Sequence, residues 1–261
     1  MKGNMTRVAA VLGFGLIGAG TAAAATITLD ANGGKDVANL KQIILALENY
    51  ESANARFPAA YIGPLGTPLL SWRVAILPYL GYSTLFNQFD LTKPWNDPAN
   101  LPLLSQMPAV FRSPLDSPSS TRTNYIGATD PNSMFPGAPG VTLISVSDGT
   151  SNTIFVGESS GSNIPWTKPE DLAVGSCPTL GDGGFSSFVS GAVPFAFVDG
   201  NVRFLPNTID CNALRGLLLR NDGVINASMA IGYTVVPEPS TIRVLGVLLA
   251  GALLLRRREP R

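Results

Sequence analysis

Residues 36–58 read DVANLKQIILALENYESANARFP, and the spacing of their apolar side chains decides the fold class. Val37, Leu40, Ile44 and Leu47 recur at helical intervals and Ile43 and Tyr50 widen the stripe, while Lys41, Glu48 and Glu51 lie mainly off it. That pattern predicts a helix with one face turned to a core. Asp36 stands where an N-cap is wanted, after a polar lead at residues 31–34, and Pro58 bars continuation.

Beyond the helix, residues 69–114 carry short apolar bursts broken by Pro78, Pro94, Pro98, Pro102 and Pro108. They predict brief helical turns and loops draped over a core, with Trp72, Tyr79, Phe86, Phe89 and Trp95 as core aromatics. The second half turns to strand. VTLISVSDGTSNTIFVGE, residues 141–158, places β-branched runs on either side of Asp148-Gly149, with residues 150–153 able to lengthen the connection. FAFVDGNVRFL, residues 195–205, predicts a hairpin about a two-residue Asp199-Gly200 turn, pairing Phe197 with Val202 and Phe195 with Phe204 on one buried face. The fold expected is α+β: an N-terminal helix on a mainly antiparallel sheet, joined by proline- and glycine-rich loops.

Composition narrows the chemistry. Eighteen basic and eighteen acidic side chains cancel, so the chain has no electrostatic footprint for nucleic acid. It has no histidine, which removes Ser-His and Cys-His pairs. Gly157-Glu158-Ser159-Ser160-Gly161 is out of step with a nucleophile elbow. Glu158, Glu170, Asp171 and Asp182 are the candidates for a glycosidase-type carboxylate pair, against a plain reading as turn and capping acids, with Glu170 and Asp171 after Pro169 at a helix start. Asp148, Asp182 and Asp199 lie in glycine-rich loops where calcium is conceivable, but without EF-hand spacing; Asp-Gly is first of all turn chemistry. No cofactor is expected, with calcium the sole candidate.

The two ends read as addresses. Lys2 and Arg7, the apolar residues 8–20 and a run of alanines form the parts of a secretory signal peptide, with cleavage after Ala24 or Ala25. Export suits Cys177 and Cys211, which can close a disulfide loop of about 35 residues worth roughly 3–4 kcal/mol, or stand as two buried thiols. At the other end VPEPSTIRVLGVLLAGALLLRRREPR, residues 236–261, runs from Pro237-Glu238-Pro239 through an apolar stretch to Arg256, Arg257 and Arg258. As a helix that stretch, residues 244–255, reaches only about 18 Å, short of a hydrocarbon core of about 30 Å, and the arginines would stay on the cytoplasmic side.

This order of elements resembles the PEP-CTERM sorting signal, which implies processing by an exosortase-type enzyme after transient membrane retention. A second resemblance covers most of residues 37–220: NLKQIILALENYESANARFPAA, LSWRVAILPYLGYSTLFNQFDLTKPWNDPAN, SDGTSNTIFVGE, PWTKPEDL and FAFVDGNVRFL, in that order, are similar to a planctomycete family of secreted, pseudopilin-like domains of unknown function. That family's histidine, nine residues before the final Asp-Gly, is Val189 here, and a conventional signal peptide stands where a prepilin leader would.

The organisation expected is therefore a signal peptide (residues 1–25), a secreted pseudopilin-like domain (residues 26–235) and a sorting segment (residues 236–261) with a short transmembrane helix. The expected role is a non-catalytic cell-surface or extracellular-matrix protein, handled by signal peptidase and an exosortase-type enzyme. The rival reading is a module for extracellular polysaccharide or a small solute, using exposed aromatics such as Trp95 or Trp166.

Overall fold

The computed structural model describes residues 26–181, 183–224 and 232–235. The expected signal peptide with Ala24 and Ala25, Asp182, and the sorting segment with Pro237, Glu238, Pro239, Arg256, Arg257 and Arg258 lie outside the described residues. In chain order the elements are β1 (Thr26–Leu29), α1 (Ala31–Asn54), β2 (Tyr61–Ile62), β3 (Leu70–Ser71), α2 (Trp72–Ala75), α3 (Ser83–Phe86), β4 (Tyr125–Thr129), β5 (Ile154–Glu158), β6 (Leu172–Ala173), β7 (Ala192–Phe197), β8 (Val202–Pro206), α4 (Cys211–Leu218) and β9 (Gly232–Val235).

Helix α1 buries the stripe that its sequence predicts: Val37, Leu40, Ile43, Ile44 and Leu47 all lie in the core. It starts earlier than expected. Asp30, not Asp36, is the N-cap, its carboxylate accepting the Gly33 N–H at 2.8 Å. Two glycines in the first turn disfavour helix intrinsically, which is why the sequence pattern points to a later start. Gly33 packs tightly there, where a Cβ would lie 3.2 Å from Leu29 Cβ. Asp36 is thereby carried inside the helix and buried. At the other end Ala55 takes a left-handed conformation, φ 57°, before Pro58.

Beneath α1 lies a five-stranded sheet in the order β6-β4-β5-β7-β8, antiparallel except where β6 joins β4. The α+β expectation holds, with both faces of the sheet covered. Tyr125, Val156, Ala196, Val202 and Phe204 join the core under α1. Ile126, Phe195, Phe197 and Leu205 pack with Leu214, Leu217 and Leu218 of α4 on the opposite side.

The β7–β8 hairpin is present but slipped by one residue from the expected register. Ala196 faces Val202, Phe195 faces Arg203 and Pro194 faces Phe204. The turn takes in Val198 as well as Asp199 and Gly200, with Gly200 at φ 78° and the Phe197 N–H bonded to the Asn201 carbonyl. A one-residue slip exchanges faces, so Phe195 and Phe197 look toward α4 while Val202 and Phe204 look toward α1. Because both faces are apolar and buried, alternation could not choose between the two registers.

The strand expected over residues 141–146 is absent. Leu143–Ser145 is a 3-10 turn, and Ile144 is 92% exposed. The segment is tied elsewhere: the Val141 carbonyl accepts from Phe57 N at 2.8 Å, and Gly140 lies so close that a Cβ would meet Phe57 O at 2.0 Å. Strand β5 has both edges already occupied, by β4 and β7. Residues 69–114 form the expected short turns, including α2 and α3, with Trp72 and Phe89 buried and Tyr79, Phe86 and Trp95 half-buried against the core.

Gly157 in the middle of β5 is fixed by packing: a Cβ would lie 2.4 Å from Phe195 Cε1 and 2.7 Å from Phe185 Cδ1. The two phenyl rings meet edge to face over it, centroids 5.0 Å apart. Gly157→Val should lower stability by about 1–3 kcal/mol or more, read as a lower urea midpoint, as overpacking in a dense core does; an unchanged midpoint would refute this packing.

Candidate functional site

Arg73 follows Ser71-Trp72 at the head of α2 and is completely buried. A guanidinium in that position has to find acceptors, and it does. Its Nη2 meets Asp171 Oδ1 at 2.6 Å, Nε and Nη2 both reach the Tyr125 carbonyl, and Nη1 donates to Ser71 Oγ at 2.7 Å. Asp171 is equally enclosed. Its Oδ1 also accepts the Gly127 N–H at 2.7 Å, and its Oδ2 accepts Trp72 Nε1 at 2.9 Å. Burial pushes the Asp171 carboxyl up and the Arg73 guanidinium down, each opposed by the other's charge. With three N–H donors on one carboxylate, the geometry is that of an ion pair.

This corrects the expectation for residues 170–171. Asp171 does not open a helix; it precedes β6 and locks that edge strand to α2 and β4. The clue in the sequence was a lone charge inside SWRVAIL, where an apolar run on both sides demands a buried partner. The partner's identity, 98 residues away, was not legible.

Beside this pair lies a cavity of about 250 Å³. Ile126, Ile164 and Leu172 give it an apolar side, and Ser159, Ser162, Asn163 and Glu170 a polar one. Much of that polarity is already engaged: Ser159 Oγ donates to the Gly184 carbonyl, Asn163 Oδ1 accepts from Arg122, and Glu170 pairs with Lys168. The Asn163 amide N–H groups and the Ser162 hydroxyl hydrogen are what this wall offers a small polar guest.

The remaining candidates are dispersed. Glu158 is buried under α1, away from solvent, with Ser187 Oγ as a donor. Asp148 uses both oxygens to hold the N–H groups of Asp222 and Gly223. Asp199 accepts the Asn201 N–H in the hairpin turn and pairs with Arg203, whose guanidinium lies 4.4 Å from the Phe197 ring centre. Asp199 therefore serves its own turn while Asp148 ties its loop to residues 222–223, and among the described residues no group of three or more His, Cys, Asp or Glu could hold a metal ion. Trp166 is not the exposed aromatic that the polysaccharide reading wanted: it is fully buried, stacked on Phe111, with Nε1 bonded to the Leu104 carbonyl. Val189, at the histidine position of the resemblance, is buried in the core under α1.

Cys177 and Cys211 are joined in a disulfide that ties the loop after β6 to the first residue of α4. The two outermost described strands, β1 and β9, pair in parallel, Thr26 with Gly232 through Leu29 with Val235. No helix among the described residues is long and apolar enough to cross a membrane.

Residues 37–133 match the family model described as "Protein of unknown function (DUF1559)". The match runs from the second turn of α1 past β4, and for that stretch it supports a domain family of unknown function. No curated protein and no solved structure matches the chain.

Replacing Arg73 by Met should cost about 3–5 kcal/mol, because Asp171 would be left as an uncompensated buried charge. The double variant Arg73→Met, Asp171→Leu should recover much of the loss in the same urea titration. Equal stabilities for the single variant and the unaltered chain would contradict the ion pair.

Proposed function

We propose that this chain is an exported, non-catalytic, pseudopilin-like component of the cell surface or extracellular matrix, carried there by a cleaved signal peptide and a PEP-CTERM segment processed by an exosortase-type enzyme. The observation that carries this reading is the β1–β9 pair. Among the described residues, β1 (Thr26–Leu29) follows the expected signal cut after Ala24 or Ala25, β9 (Gly232–Val235) precedes the segment with Pro237-Glu238-Pro239, and the two strands pair with each other. A domain in which the strands beside the two expected cutting sites hold each other can lose both flanking segments and keep its fold. The disulfide is the second support, since such bonds persist in oxidising compartments.

The placement of acids favours a structural role over hydrolysis. Glu158 is enclosed, Asp171 is locked to Arg73, and Glu170 is held by Lys168, which leaves the cavity without a free carboxylate pair among the described residues. A second reading rests on the cavity itself: its apolar side with Ser162 and Asn163 opposite suits a small polar solute better than a stacked sugar chain, given the burial of Trp166.

Intact mass and fractionation of the protein from its native host test the first reading. A mature species starting at Ala25 or Thr26 and ending near Pro237-Glu238-Pro239, released or surface-bound, is expected, with Pro237→Ala and Pro239→Ala leaving more of the tail attached. A full-length C-terminus held in the membrane, indifferent to both substitutions, would overturn the sorting assignment.

A further inference from the structure

Two carboxylates lie between α1 and the sheet with no cation beside them. Asp36 is 2% exposed and Glu158 is fully buried. Tyr125, the cross-strand partner of Glu158, brings them together by donating its hydroxyl to Asp36 Oδ1 at 2.6 Å while accepting from Asn39 Nδ2 at 3.1 Å. Ser187 Oγ donates to Glu158 Oε2. The other oxygen of each acid, Asp36 Oδ2 and Glu158 Oε1, is buried with no hydrogen-bond partner. The ion pairs among the described residues are Arg73–Asp171, Lys168–Glu170 and Arg203–Asp199, and none includes either acid.

An ionised carboxylate enclosed in this way suffers the full desolvation penalty, whereas the neutral acid suffers far less. A metal ion is a poor alternative, since calcium takes six to eight oxygens and no third acid joins the two. We propose that Asp36 and Glu158 are carried in the folded protein as a protonated pair, forming an acid-stabilised latch between α1 and β5 that loosens as pH rises.

The groups facing the pair are Asp30 at the N-cap of α1, Asn39 from α1, Tyr125 from β4, Ser113 ahead of β4, and Ser187 with the Phe188 N–H ahead of β7. The Arg112 guanidinium is directed away, to the Ser120 carbonyl. Burial raises Asp36 to about 6, helped slightly by the charge of Asp30 and opposed by the hydrogen bond from Tyr125 and the nearby Ser113 hydroxyl. Glu158 goes well above the usual carboxylate range, through burial first and the charge of Asp36 second. Tyr125 is itself raised by burial and by these acids, so it remains a neutral donor. Both carboxyls therefore titrate higher folded than unfolded. Their stabilisation is fully present below about pH 4 and is lost as pH rises through about 6 for Asp36 and higher for Glu158. Helix α1, which carries Asp36, packs on β1 and β9 as well as on the sheet.

Urea unfolding of the full chain between pH 5 and pH 8 tests this. The midpoint should fall with rising pH, the Asp36 shift alone corresponding to a change of roughly tenfold in the folding equilibrium over this window. Glu158→Gln and Asp36→Asn, amides that keep the neutral shape, should each remove a large part of that fall. A midpoint that rises or stays level over this range, or a Glu158→Gln chain with undiminished dependence, would overturn the latch. Should either variant fail to fold, infrared spectra of the unaltered chain decide: a buried protonated carboxyl C=O band persisting at pH 7 is expected, and a spectrum with ionised carboxylate bands only refutes the proposal.

Discussion

Everything described in this molecule leans on one contact, the apolar stripe of α1 laid across the face of the sheet. Leu40, Ile43, Ile44 and Leu47 are each at most 1% exposed, and burying each such side chain contributes about 1.5–3 kcal/mol. The same helix meets β1 at its start and the β7–β8 hairpin along its length, where Glu48 lies close to Gly200 in the turn. Tyr50 then stacks edge to face on Tyr79 in the proline-rich region. An α1 displaced by one turn would break all of these together.

The interior contains charge-bearing side chains on both sides of that contact, and the fold handles them in two ways. Arg73 and Asp171 neutralise each other, and hydrogen bonds with Trp72, Gly127, Ser71 and the Tyr125 carbonyl offset much of the cost of desolvation. Asp36 and Glu158 have like charge and no base, so neutrality comes from protons instead. The first arrangement joins β6 to the rest of the sheet through opposite charges. The second joins α1 to the sheet through protons.

The helix stripe, the proline-broken turns, the presence of the Asp199-Gly200 hairpin and the mainly antiparallel sheet were legible in the sequence because each rests on local spacing or on a residue with restricted backbone. What escaped depends on distant partners. The start of α1 lies at Asp30, whose carboxylate caps Gly33 N–H while Gly33 packs close to Leu29, contacts that helix propensity cannot see. Hairpin register was undetermined because α4 covers the far face and makes both alternations equally apolar. Residues 141–146 have β-branched character but are tied to Phe57 rather than to a strand. Of the candidate site, the buried fate of Trp166 and Glu158 and the pairing of Asp171 all come from chain segments far away in sequence.

Native-state hydrogen exchange, read residue by residue, tests most directly whether α1 is the element on which the fold depends. Amides of residues 40–47 should be among the slowest to exchange and should open together with those of β5 and β7, in one cooperative unit near the global unfolding free energy. Exchange of α1 at low free energy, while β5 and β7 stay protected, would contradict the account, since the sheet would then stand without the helix.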